Sequence, residues 1–414
     1  VALPHDPTTA LRFIRENAPF LSAGALLTLL SSFGQTFFIS VFAGEIREEF
    51  GLSHGGWGAI YSLGTFASAA VMVWAGVLTD RFRARALGLW VALLLAAAAL
   101  AMALAGNLAM LVAAVFLLRL AGQGMANHIA IVAMARWYVA MRGRALSIAS
   151  LGVAAGEAFL PLLAVALMTL YDWRLIWVGA ALLSVATIPL LFRLLRLERT
   201  PQSLSGETSA AGLGERHWAR RDLFRHELFW LVFPSLLAPS AFSTAFFFHQ
   251  VHLAEVKGWS HATLVAMFPL FTGSAIATLM LSGWLIDKLG ALRLMPFVLL
   301  PMAIGFLVMS GAESIWLTGV AMMLMGATQG ANSTVPAAFW AEAYGTRHLG
   351  AIKSLATAIM VFGTAVGPVL TGTLIDAGLP FASQMPGIAV YFLLCAGLVA
   401  FGVARARPPS AEAT

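Results

Sequence analysis

The stretch Gly76-Val77-Leu78-Thr79-Asp80-Arg81 returns as Gly283-Trp284-Leu285-Ile286-Asp287-Lys288, and the shift of 207 residues is half of the 414-residue chain. The same shift carries Gly51-Leu52-Ser53-His54 onto Gly258-Trp259-Ser260-His261, Gly143 onto Gly350, and Gly156 with Pro161 onto Gly363 with Pro368. The chain is one unit written twice. Long apolar segments surround every match, so the duplication points to a membrane protein of two parallel repeats.

Composition agrees. Apolar residues make up 60% of the chain and charged residues 11%, against about 45–50% and about 25% in soluble proteins. Twenty-five basic and nineteen acidic side chains are too few to coat soluble domains of this total length. Lipid is therefore the expected solvent. The net charge of +6 does not indicate nucleic acid, because the basic residues are scattered between apolar segments rather than gathered on one face. The single cysteine, Cys395, excludes a disulfide framework and a cysteine metal site. The polar amino terminus, with Arg12 and Arg15, leads straight into a full-length apolar segment, so the first span is expected to act as its own targeting signal.

A membrane-crossing helix takes about 20 mainly apolar residues. The first half offers 19–43, 57–79, 87–106, 109–135, 145–170 and 175–195; the second offers 229–254, 262–286, 294–311, 315–340, 351–375 and 385–404. Strict alternation is absent, which excludes a barrel and leaves helices. The expected fold is all-α, with twelve transmembrane helices in two parallel six-helix repeats. Residues 1–195 form the first bundle, 196–228 a polar linker with a short helix near Arg216 to Arg225, and 229–414 the second bundle. The termini and even-numbered connections hold 21 of the 25 Lys and Arg residues, the odd-numbered ones only Arg47, Arg174 and Lys257, and Arg119 lies inside a span. That bias places both termini and the linker in the cytoplasm of a multi-pass cell-membrane protein, the inner membrane if the cell is Gram-negative.

The loop after the second span, Gly76 to Arg85, resembles the signature loop of the major facilitator superfamily, and its copy at Gly283 to Lys288 occupies the corresponding place in the second half. Arg83 and Ala84, and later Ala291 and Leu292, depart from the family pattern. The resemblance implies a transporter in which Asp80, Arg81, Asp287 and Lys288 take part in gating. Within the superfamily, Arg136-Trp137-Tyr138 with Arg142-Gly143-Arg144, and Ser32-Phe33-Gly34 through Phe42, are similar to the monocarboxylate and oxalate/formate porter group. That likeness implies a small organic anion moved with a proton. The cation that the group often carries in the eighth span is missing from residues 262–286.

An ionisable side chain at mid-bilayer costs about 2.5–3.5 kcal/mol on insertion scales and is read as functional by default. Arg119 and Glu157 each stand about 15 Å into their spans at 1.5 Å per residue. We expect them to approach each other, Glu157 exchanging a proton and Arg119 binding an anionic solute or holding the Glu157 pKa down. A purely structural ion pair is the competing reading. Gln123 and Asn127 follow Arg119 along one helix face; Gln35, Gln329, Asn332 and Thr364 complete the candidate pocket, Thr364 taking the place of Glu157 in the second repeat. His128 reads as a packing or gate residue. Interhelical amide bonding is the alternative for the Gln and Asn residues. Phe38, Phe246, Phe247, Trp340 and Phe362 are candidates for shaping the pocket, although most aromatics in spans pack or anchor. His249 and His252, three residues apart, lack a third ligand; a polar cap or an external pH-sensitive gate is expected there, not a metal. Gly152-x-x-x-Gly156 and Gly363-x-x-x-Gly367 are expected at close helix contacts.

The leading expectation is thus a monomeric, proton-coupled secondary transporter working by alternating access, with a small-molecule solute and protons as its partners and no cofactor. Proton-driven export of a drug-like or metabolite compound is the second reading, because Arg119 with Gly122-Gln123-Gly124 also resembles the span-four motif of proton-coupled antiporters. A non-transporting membrane sensor is the third. An enzyme is not expected: no phosphate-binding Gly loop and no nucleophile with a base is visible.

Overall fold

The computed structural model describes residues 7–76, 78–138, 142–196, 213, 218, 220–345 and 349–406. Among these residues the regular elements are helices. Ten are long and apolar enough to cross a membrane, and a bent pair, Arg12–Gly34 with Thr36–Phe50, makes an eleventh, its halves meeting at 47°. The remaining expected span is present as Ile315–Asn332 followed by Val335–Tyr344. Thr328, Gln329 and Asn332 lower its mean hydropathy.

The duplication is visible in backbone detail. Gly51 and Gly258 adopt φ of 61° and 68° and close the helices Ala43–Phe50 and Gln250–Lys257. Two residues on, Ser53 Oγ and Ser260 Oγ accept the N–H of Gly56 and Thr263 at 3.0 and 3.1 Å, starting the next helices. The repeated Gly-x-Ser-His is therefore a helix stop followed by a helix start, which needs a residue free to turn left-handed and then an oxygen-bearing cap.

The chain divides into two compact units, Val1–Ile39 with Leu63–Ser205, and Ser40–Ser62 with Gly206–Thr414. In the first unit, spans one and five pack backbone to backbone. A Cβ on Gly152 would collide with Ala25 O and one on Gly156 with Ser32 Oγ, while Thr28 Oγ1 donates to Ala149 O. Spans seven and eleven repeat this in the second unit, where a Cβ on Gly367 would collide with Ala241 O. Spans eight and ten join in the same manner, Gly326 against Phe271 O and Gly330 against Ala275 O, with Ser274 Oγ donating to Met323 O at 2.6 Å. Close backbone approach is the main attraction available to helices whose surroundings are as apolar as their side chains.

Two cations of the odd-numbered connections have a structural task. Arg174 donates to Ala103 O and Ala105 O at 2.5 and 2.6 Å, at the end of Ala84–Ala103. Lys257 donates to Ser310 O and Ala312 O at 2.6 and 3.0 Å, at the end of Leu300–Gly311. Each satisfies carbonyls that the helix leaves unbonded and sits at the negative end of its dipole.

Candidate functional site

Span one is interrupted at the level of the expected pocket. The helix Pro7–Ser31 gives way to a tight 3-10 turn, Ser32–Gly34; Gln35 is extended at φ −85° and ψ 153°, and Thr36–Ile39 resumes the helix. Gly34 permits this by its lack of a side chain. A Cβ there would collide with Leu118 O, and one on Gly122 would lie 2.7 Å from Gly34 Cα. Span four answers with its own irregularity: Arg119–Ala126 is wound as a π-helix, a rare form that is frequent at functional sites.

Arg119 opens that π segment with 3% of its surface exposed. Its Nη1 donates to Gly34 O at 3.3 Å and to Thr36 Oγ1 at 3.4 Å. Gly156 packs on Ser32, the first residue of the same turn, so the Glu157 backbone lies beside the break and its side chain is half-buried. Spans four and five, carrying the two ionisable candidates, thus meet one short irregular segment of span one. Gln35 belongs to that segment, Gln123 N lies against Gly34, and Gln35, Gln123 and Asn127 are all half-buried.

Spans two and four touch one turn further on. A Cβ on Gly124 would lie 2.9 Å from Met72 Sδ, and one on Gly76 3.5 Å from His128 Nε2. His128 is therefore a packing neighbour of Gly76 in the first signature loop. In that loop Thr79 Oγ1 donates to Gly76 O at 2.8 Å, Arg81 is exposed, and the Arg85 guanidinium lies 3.6 Å above the Phe192 ring. The Asp80 side chain lies outside the described residues.

In the second unit the corresponding loop is organised by a residue that sequence reading passed over. Glu342 Oε2 accepts the N–H of Ala291 at 2.7 Å and of Leu292 at 3.2 Å, after Gly290 turns the chain at φ 78°. The only signal for it was an acid near the end of span ten, three residues before Gly345. Asp287 and Lys288 are exposed, and Lys288 Nζ lies 4.0 Å from the Trp284 ring centre. Thr364 Oγ1 donates within its own helix to Val361 O at 2.8 Å; Asn332 is half-buried and Gln329 exposed. A second omission is a clasp between the linker and span ten. Trp218 N donates to Tyr344 O at 3.2 Å, and the His226 and Tyr344 side chains meet at 3.1 Å.

The aromatic candidates separate. Phe38 packs edge-on against Phe33 and Trp177, Phe246 against Phe306, and Phe247 against Phe268. Trp340 belongs to a core cluster with Phe229 and Tyr344, while Phe362 is 52% exposed.

The sequence model of the Major Facilitator Superfamily matches residues 24–309 and 264–414. No curated protein matches the sequence. Among solved structures, a bacterial homologue of the human lysosomal transporter Spinster, inward-facing and unoccupied, is 17% identical with a TM-score of 0.72 over 95% of this chain and 99% of that one. The nucleoside transporter NupG is 12% identical with a TM-score of 0.70 over 94% of this chain and 100% of that one. At such identities the likeness concerns the fold.

Proposed function

The chain belongs to the major facilitator superfamily, and from that membership we propose that it is a proton-coupled secondary transporter that moves a small organic anion, a monocarboxylate in the first instance, by symport. The observation that carries this reading is Arg119, a cation 3% exposed within the apolar interior and bonded to the broken turn of span one. A guanidinium presents a planar fork of donors matched to a carboxylate, and a hinge in the helix it grips gives solute binding a way to move the chain. Glu157, beside the same turn, is the proton carrier of the proposal. Neutral Glu157 leaves the Arg119 charge for the solute, and ionised Glu157 competes for it, so proton and anion load together. Gln35, Gln123 and Asn127 supply neutral polar groups in the first repeat, Gln329, Asn332 and Thr364 are the neutral polar candidates of the second, and Asp80, Arg81, Asp287 and Lys288 belong to the gating loops.

The distribution of Lys and Arg supports a cell-membrane protein with both termini cytoplasmic. Residues 1–195 and 229–414 act as the two six-helix bundles of one monomer, and the linker 196–228 joins them.

Proteoliposomes loaded at neutral pH and placed in acidic medium test the reading with a panel of labelled carboxylates. Uphill uptake is expected. Arg119→Ala lowers it about 30-fold or more, the effect of roughly 2 kcal/mol for an unpaired charged contact. Glu157→Gln keeps solute exchange but loses accumulation driven by the gradient. Full pH-driven accumulation in Glu157→Gln removes the proton-carrier role, and accumulation driven only by the reversed gradient replaces symport with export.

A further inference from the structure

Residues Ser40–Ser62, the end of span one and the beginning of span two, belong to the same compact unit as the second half of the chain. Several contacts fasten them there. Ser40 Oγ donates to Phe247 O at 2.7 Å and receives Gln250 Nε2 at 2.8 Å. Trp57 stacks on Phe248 with centroids 5.7 Å apart, and Ser62 Oγ donates to Ala365 O. The backbone N–H groups of His54 and Gly55, which open the second span, both donate to the Asp376 carboxylate, at 3.0 and 2.8 Å. A carboxylate at a helix N-terminus satisfies orphan donors and complements the dipole.

Three imidazoles gather at this fastening. The His54 ring lies 4.5 Å from that of His252 and 6.1 Å from that of His249, centroid to centroid. His249, 3% exposed, has its Nε2 at 2.9 Å from Thr371 Oγ1 and 3.3 Å from Pro368 O. A carbonyl only accepts, so this nitrogen carries the proton. His252 Nε2 accepts the N–H of Phe381 at 3.4 Å, so that nitrogen carries none and the ring is neutral. Of the charged groups around them, Arg47 acts electrostatically on all three rings and Asp376 on His54. The Arg47 Nε is buried without a hydrogen-bond partner among the described residues. Beyond Arg47 lies an open polar pocket lined by Glu45, Glu48, Glu255 and His261, and His261 Nε2 reaches Gln250 Oε1 at 3.2 Å. Phe381 and Gln384 are the uncharged neighbours from span twelve.

We propose that His54, His249 and His252 form a second proton-binding site, separate from the Arg119 and Glu157 pair, and that protonation there unfastens residues 40–62 from spans seven and eleven. A proton on His252 displaces the Phe381 N–H, because the nitrogen can no longer accept. It also sets a new positive charge against His54 and the half-buried Arg47, where a dielectric lower than that of water strengthens repulsion. Asp376 restrains opening by holding the His54 end. His54 lies in the first connection, and His249 and His252 lie at the end of span seven that leads into the seventh connection, so under the orientation proposed above the site reads the external pH and permits outward opening only when protons are abundant there. It rests on that orientation solely for the compartment it senses.

The test needs neither solute nor a working Glu157. Spin labels at Glu49→Cys and Ala377→Cys, in a Cys395→Ser background and in detergent, report the distance between the span-one end and the span-eleven end by pulsed electron resonance. One short distance is expected at pH 8. A longer population should grow below about pH 6.5, by up to about tenfold per pH unit for each proton bound on opening. Single His54→Gln, His249→Gln and His252→Gln variants are expected to flatten or displace that response, and Asp376→Asn to move it to higher pH. A native distance that stays constant from pH 8 to pH 5 overturns the proposal, as do three histidine variants that all respond like the native protein.

Discussion

At the scale of single residues, the chain uses its scarce charges for distinct tasks. Arg174 and Lys257 close the ends of helices, Glu342 holds a loop, and Arg119 grips a broken turn. His226 illustrates how burial can make such a contact depend on pH. It lies next to Tyr344 and Trp218, with the Trp218 ring 4.4 Å from its own, and burial lowers its pKa, Glu227 opposing. The unfolded chain therefore takes up the proton first as pH falls. The stability contributed is complete above the unfolded value of about 6.5 and is lost as pH falls through the lower folded value. Hydrogen exchange at the Trp218 amide, corrected for intrinsic rates, is expected to show protection at pH 7.5 that declines on acidification. His226→Gln should make that protection independent of pH. Of the candidate site residues, Arg119 and Glu157 were legible as charges deep in apolar runs, because such charges stand out against any lipid-facing pattern. Glu342 was not, since an acid near a span end has the same sequence context whether or not a distant backbone turns toward it.

At the scale of elements, small residues decide how closely helices approach. The pairs Gly152 with Gly156 and Gly363 with Gly367 were readable from their spacing, and the structure puts span one against span five and span seven against span eleven through them. The break in span one was not readable. Residues 32–35 carry no proline, and the turn forms where Gly34 and Gly122 let two backbones meet. Substitutions at these contacts should act through overpacking, which costs about 1–3 kcal/mol. Gly367→Val is expected to lower the midpoint of thermal unfolding in detergent, whereas Gly387→Ala, with nothing within 4 Å of the added carbon, should leave it nearly unchanged. Equal midpoints for the two variants would contradict the packing role given to Gly367.

At the scale of the whole molecule, orientation rests on the distribution of Lys and Arg and is open to a direct check. A fluorescent protein fused after Thr414 is expected to fluoresce and alkaline phosphatase fused there to be inactive; the reverse pair of results places the carboxyl terminus outside. Fold class, helix count and the twofold repeat were all determined by the sequence alone. The solvent of a membrane protein imposes a local rule, about 20 apolar residues per crossing, and a duplication copies its local signals at a fixed offset. What only the tertiary structure decided is which distant residues come into contact. Gly34 and Arg119 are 85 positions apart, and His54 and Asp376 are 322 apart. The grouping of residues 40–62 with the second half likewise arises from contacts across the repeats. Hydropathy and periodicity record what each segment requires of its solvent, whereas these contacts depend on where the backbone breaks and on which glycines let helices close, and no local pattern encodes that.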